Sequence, residues 1–428
     1  MQRWSSAIAA VVVGLGAAGP VGGANPAAPC DVSSDCIEIF GPILDSVVLD
    51  PGVYLVTANI VIAEGVTLTL PKGTTLYFQP NTGGSIGTGI SGRGTLRVEG
   101  TADEEVLMKS NSPTPQPGDW LGVRLSGAGN LITHARIEFA DTAIDIRNGD
   151  GEISHSTITM ANTAIAITNA SATIFANEID VFRLDRSSTG IALTDLPMTP
   201  ATRVSRNILT GNGSPRPRFG ISLAQFDVGP ETSAQLVGNE IRNFDLGIDL
   251  TGSSALVASN LMESTGSGVS VRDASPLIVD NVITSGSGFA ILSDDGSPLI
   301  QGNTIMRNEN GLGLYGGSPH VVDNTITDNL GVGIYLGEGA VFPQPDPRPV
   351  VNDNRVFGNG TGRTNPVDLL IRVPVEFGSV DATENFWGSL NPTVIEQRID
   401  DGKDRLNFSY AAANICPLHN ELGEPVAC

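Results

Sequence analysis

Short alternations of apolar and polar residues recur along the chain, each opened by a glycine: Gly247-Ile-Asp-Leu, Gly268-Val-Ser-Val, Gly288-Phe-Ala-Ile and Gly311-Leu-Gly-Leu. A period of two in runs this short, separated by Gly, Ser, Asp and Asn, predicts strands and excludes helical repeats. About eight residues ahead of these runs stands an asparagine followed by an aliphatic: Asn239, Asn260, Asn281, Asn303 and then Asn324, at gaps of 21, 21, 22 and 21. A self-similar period of roughly 20 to 30 residues marks a solenoid.

A coil of 21 residues has no room for a helix beside its strands, but it holds three short strands and three corners. Parallel stacking of such coils gives a β-helix with apolar columns inside, repeating at about 4.8 Å. The inward column of the glycine-led strand reads Ile144, Ile165, Ile191, Ile221, Ile248, Val269, Phe289 and Leu312. The outward column beside it reads Asp145, Ala166, Ala192, Ser222, Asp249, Ser270, Ala290 and Gly313, and the next outward column ends on Thr251 and Arg272. Small residues dominate this face, so it is expected to be chemically quiet. The asparagine is expected at a corner with left-handed backbone, its amide hydrogen-bonding from coil to coil. The same slot continues back through Asn207, Asn177, Ser156 and Ala135 and forward to Asn354 and Asn385, with inserts in the longer gaps. Inserts at corners become loops, where solenoids usually carry function.

Two non-repeating stretches carry a family resemblance. The segment from Ile62 through Gly118-Asp-Trp-Leu-Gly-Val looks like a set of opening coils, and Asn385-Phe-Trp-Gly resembles a closing turn. With these motifs the chain resembles the bacterial secreted right-handed parallel β-helix repeat proteins of the pectin-lyase-like superfamily, over nearly all of its length after residue 50. The resemblance implies an all-β, right-handed parallel solenoid, and the regular spacing implies about 12 to 14 coils with capped ends. It implies no single activity, because that superfamily includes polysaccharide lyases, hydrolases, epimerases and adhesins. The expected organisation is a signal peptide over 1–24, an N-terminal cap over 25–50, the β-helix over 51–390 and a C-terminal cap over 391–428.

Arg3, the apolar run Ala7 to Leu15 and the small residues Gly22-Gly-Ala24 have the layout of a secretory signal. No later stretch is long and apolar enough to span a bilayer, so a secreted or periplasmic protein is expected. The four cysteines sit at the two chain ends. Separation by the coils leaves Cys30–Cys36 and Cys416–Cys428 as the pairs that can close, and it excludes a metal site built from all four. A short cap helix is expected at Asn391 and Pro392, with Ile395 and Ile399 facing the last coil.

Charge narrows the partners. Lys and Arg number 24 against 46 Asp and Glu, a formal charge of −22, which repels nucleic acid and anionic lipid surfaces. An acidic polysaccharide would need bridging calcium, the one cofactor the reading leaves room for, or a local basic groove. Aromatic residues at 5% offer few platforms for stacking sugars. Arginines concentrate in and around the inserts: Arg183, Arg186, Arg203, Arg216 and Arg218, with Asp249 and Arg272 on the strand face between them. Guanidinium groups suit carboxylate ligands.

Catalytic motifs are sparse. Asp145 and Asp249 are four coils apart, too far for the paired carboxyls of a glycosidase. Asp249 with Arg272 is lyase-like in type, yet a surface salt bridge is the expected explanation. Asp294-Asp295 lacks the accompanying elements of polygalacturonases, and the Asp-Pro-His-Asp element of alginate epimerases is missing. His134 and His155, 21 apart, should stack on adjacent coils. The reading that follows is a monomeric exported β-helix protein that binds glycans or serves as a surface or matrix component without catalysis. The alternative is a polysaccharide lyase or glycoside hydrolase acting on an acidic polysaccharide.

Overall fold

The computed structural model describes residues 30, 36–81, 87–182, 188–199, 201–226, 234–338, 349–362, 364–374, 379–401 and 413–426. The expected signal peptide lies outside them. The chain divides into two compact units, Met1–Ala192 and Leu193–Cys428. No helix of the described residues is long and apolar enough to cross a membrane.

In the first unit the strands Thr67–Pro71, Thr95–Glu99, Asn130–Thr133, Asp150–Ser154 and Ser171–Phe175 stack in parallel register. Alternation turns every second residue inward, so Leu70, Val98, Ile132, Ile153 and Ile174 form one column without solvent exposure. Burying each such side chain contributes about 1.5–3 kcal/mol. On the neighbouring sheet Val123, Ile144 and Ile165 pair in sequence. Parallel pairing already begins at strand Ile37–Ile43, against Val53–Ile62. Trp120 is fully buried, its ring stacked on Phe78 at 3.9 Å and its Nε1–H donating to the Glu138 carbonyl at 2.8 Å.

In the second unit the strands Phe219–Ala224, Leu246–Thr251, Ser267–Arg272, Phe289–Asp294, Asn310–Tyr315, Ile334–Gly337 and Leu369–Ile371 stack in parallel. Their inward column is Ile221, Ile248, Val269, Ile291, Leu312, Ile334 and Leu369, all fully buried. The expected register fails at one coil. Val269 pairs with Ile291, not Phe289, and Ser270 pairs with Leu292, not Ala290. The coil from Asn281 to Asn303 has 22 residues, and its Gly288 comes one position early. The slot held by Gly247, Gly268 and Gly311 is filled there by Ala290, itself fully buried. Burial of Ile291 sets the register, and the glycine does not.

The asparagines make the coil-to-coil ladder expected of them. Starting from Asn207 as the first donor, each Oδ1 of Asn239, Asn260, Asn281, Asn303, Asn324, Asn354 and Asn385 accepts from the backbone N–H and the Nδ2 of the asparagine one coil before, at 2.8 to 3.1 Å. All are buried, so every bond is made away from competing water. The left-handed backbone, however, belongs to the residue before each of them: Arg206, Gly238, Ser259, Asp280, Gly302, Asp323, Asp353 and Glu384, at φ of 54° to 67°. The turn is made one position early, and the asparagine then aims its amide along the stack. A second ladder, Asn308, Asn329 and Asn359, ends on the buried carboxylate of Asp368, which Arg398 holds at 2.8 Å.

The disulfide Cys30–Cys36 is present, and Asn111 ties Cys30 down with two 2.8 Å bonds to its backbone. Cys416 is disulfide-bonded as well, and Cys428 lies outside the described residues. The cap helix is Pro392–Glu396, with the Asn391 side chain accepting from Thr393 N–H and Ile395 buried beneath it. Ile399 is not part of that helix: it lies in strand Ile399–Asp400, which extends the stack by pairing with Leu369.

Candidate functional site

The arginine-rich region does not form one wall. Arg183 and Arg186 lie outside the described residues. Arg203 is on strand Arg203–Ser205, which pairs with Gln235–Val237 in a different sheet from the glycine-led strands. Arg216 is half-buried and reaches the Ser287 hydroxyl at 3.5 Å. Arg218 is exposed, with its guanidinium carbon 4.5 Å from the centroid of the Phe219 ring. Pro217, buried between these two arginines, helps hold the loop stiff.

Arg218 borders the face on which Asp249 and Arg272 stand. Asp249 pairs in register with Ser270, and Arg272 with Thr251 and with Asp294 on the following coil. Burial pushes the Asp249 carboxyl pKa up; the Ser270 hydroxyl, which donates to it, and then Arg272 and Arg218 pull it back. Among the described residues neither Arg218 nor Arg272 makes an ion pair within 4 Å. The salt bridge expected between Asp249 and Arg272 is therefore not formed, and both guanidinium groups remain available on either side of a half-buried carboxyl.

The shifted register changes the rest of this face. It places Leu292, Gly313, Tyr335 and Leu370 in the column after Ser270, and Asp294, Tyr315 and Gly337 in the column after Arg272. A groove of about 460 Å³ opens there, lined by Arg272, Phe289, Leu292, Asp294, Tyr315 and Glu338 among others. A further 340 Å³ continues past Tyr335 to Arg372, whose guanidinium is paired with Asp400 at 2.8 Å. The face is thus aromatic and charged, not quiet, with Phe289, Tyr315 and Tyr335 upon it. The sequence reading weighed Asp294 only as part of Asp294-Asp295, and Tyr315 escaped it, because the early Gly288 hid their register; the 22-residue spacing of that coil was the available signal.

Two other sequence candidates are occupied structurally. In the first unit Asp145 is only 2% exposed, and Arg124 and Arg147 donate to its carboxylate at 2.9 Å. His134 and His155 stack as expected, with centroids 5.1 Å apart and planes at 11°, and Phe175 meets His155 edge-on. Among the described residues no group of three or more His, Cys, Asp and Glu is placed to hold a metal ion.

Comparison with known proteins agrees with this geometry. Residues 41–146 match a family profile described as a pectate-lyase like beta helix domain, and residues 220–365 match one described as a right handed beta helix region. The solved periplasmic alginate epimerase AlgG is similar at 13% identity and a TM-score of 0.52, over 76% of this chain and 81% of that one. The catalytic unit of a thermostable GH87 alpha-1,3-glucanase from Streptomyces thermodiastaticus is similar at 15% identity and a TM-score of 0.44, over 76% and 64% of the two chains. No curated protein matches the sequence significantly. The chain is a right-handed β-helix protein of pectate-lyase-like fold.

Proposed function

We propose that this is an exported, glycan-binding β-helix protein that holds an acidic polysaccharide strand along the groove beside Asp249. The observation that carries this is the pair of exposed, unpaired guanidinium groups near Asp249: Arg218, and Arg272, which also lines the aromatic groove. Eight other arginines of the described residues are each committed to a carboxylate, Arg97, Arg242 and Arg398 among them. In a chain this acidic, leaving two arginines unpaired on one face creates a local anion site. The shared fold with a periplasmic enzyme that acts on alginate and the disulfide are in keeping with an extracytoplasmic glycan-binding role.

Carboxyl spacing favours binding over hydrolysis. Asp294 stands two coils from Asp249 and two residues further along its strand, roughly 12 Å between backbone positions at strand spacing, beyond the usual separation in glycoside hydrolases. The polysaccharide-lyase reading draws on a different observation: a carboxyl whose proton is favoured by burial, between two arginines, could neutralise a uronate. Calorimetric titration with polygalacturonate tests the proposal. Replacing Arg218 and Arg272 together by Ala should weaken binding by about tenfold or more, an effect that shrinks at high salt. Unchanged affinity of the double variant would overturn it, and release of unsaturated products would move the protein to the lyase class.

A further inference from the structure

The other end of the groove has the opposite chemistry. Two missing side chains shape it. The Phe289 ring lies over Gly313, where a β-carbon would stand 2.9 Å from Cδ1. Tyr335 and Tyr315 close over Gly337, where a β-carbon would stand 2.6 and 3.1 Å from ring atoms of the two tyrosines. The rings of Phe289 and Tyr315 thereby stand 6.4 Å apart with their planes at 89°, and Tyr335 follows Tyr315 at 5.0 Å. Perpendicular aromatic faces around an open space attract cations through the negative faces of the rings.

Charge points the same way. The lining holds one cation, Arg272, against two carboxylates, Asp294 and Glu338, neither of which makes an ion pair within 4 Å among the described residues. Asp273 and Asp295 add further negative charge beside Asp294. Burial and then Asp295 raise the Asp294 carboxyl pKa, a cost that a bound cation would relieve. A carboxylate entering here would meet like charge, and a neutral amide would forgo the attraction of both rings and acids.

We propose that the part of the groove lined by Phe289 and Tyr315 receives the protonated amine of an amino sugar, so that the strand held in the groove carries free amines as well as carboxylates. This rests on the reading of the groove as a polysaccharide site and specifies its ligand. Arg218 and Arg272 take the acidic group at one end; Phe289, Tyr315, Asp294 and Glu338 take the amine on the coils that follow.

The test titrates the intact protein, at physiological salt, with the fully deacetylated and the fully N-acetylated trimers of β-1,4-linked glucosamine, and in parallel with polygalacturonate. The deacetylated trimer should bind about tenfold more tightly than the acetylated one. Tyr315→Ala and Asp294→Asn should each remove most of that preference, and Tyr315→Phe, which keeps the ring, should retain it. Thermal unfolding of each variant reports whether it is folded. Equal affinity for the two trimers, or a preference untouched by both Tyr315→Ala and Asp294→Asn, overturns the inference and marks any binding as general attraction to an acidic chain. Polygalacturonate binding through Arg218 and Arg272 without trimer discrimination refutes the amine cavity alone. Discrimination through Tyr315 and Asp294 without polygalacturonate binding refutes the acidic-polymer reading alone, and no binding of either kind refutes both.

Discussion

Phe289 rests on Gly313: the ring occupies the space that a side chain on the next coil would fill, at 2.9 Å from a β-carbon placed there. Gly313 sits in ordinary extended backbone within strand Asn310–Tyr315, so its lack of a side chain serves the ring and not a turn. The aromatic corner of the groove therefore depends on a glycine that touches no ligand.

Gly313→Ala should displace the Phe289 ring while the coil still forms. Overpacking in a closed core costs about 1–3 kcal/mol, but Phe289 is half-buried and can swing outward, so the loss of stability should stay below about 1 kcal/mol. Affinity for the deacetylated trimer should fall several-fold. Full affinity with an unchanged melting temperature would show that the ring position is unimportant.

Asp249 makes stability depend on pH in a defined direction. Its folded-state pKa is raised, with burial as the largest cause, so the native state retains a proton that the unfolded chain releases. The stabilisation is complete below the ordinary carboxyl range and is lost as pH rises through the raised folded-state value. Asp249→Asn, which stays neutral, should melt above the parent at pH 7 and converge with it at acid pH. Thermal melts across that range check the sign. A variant that melts below the parent at neutral pH would mean that Arg218 and Arg272 outweigh burial.

Asn281 sits mid-ladder, with Oδ1 accepting from Asn260 and Nδ2 donating to Val257 O, Val279 O and Asn303 Oδ1. Asn281→Ala would leave the Asn260 backbone N–H and the Asn303 Oδ1 each short of one buried partner. The expected loss is about 2–3 kcal/mol, the cost of leaving buried polar groups unpaired, read as a lower denaturation midpoint. An Asn281→Asp variant should suffer more at neutral pH than in acid, since it removes donors and buries a charge.

The coil, its parallel strands, the buried columns, the stacked histidines and the asparagine ladder were all legible in the sequence, because each follows from contacts that repeat every 21 or 22 residues, and the Cys30–Cys36 link was legible because these two cysteines lie together at one chain end. A period is a local property of the chain, and neighbouring coils enforce it on one another through the same backbone pairing. What lay beyond the sequence is whatever breaks the period. Register at the coil of Ile291 was decided by which residue could fill the apolar column, and that choice shifted the outward residues by two positions, setting Leu292 beside Ser270 and Asp294 beside Arg272, and brought Phe289, Tyr315 and Tyr335 together there. The separation of Arg203 from Arg218 was likewise decided by sheet membership, which depends on where each insert rejoins the stack. The second ladder ending at Asp368 and Arg398 also escaped notice, because its last acceptor comes from a carboxylate only 9 residues from Asn359 and not from another asparagine one period on. Spacing along the chain thus determined the scaffold, while the site was decided by side-chain packing between coils, which sets the register and with it the neighbours of every outward residue.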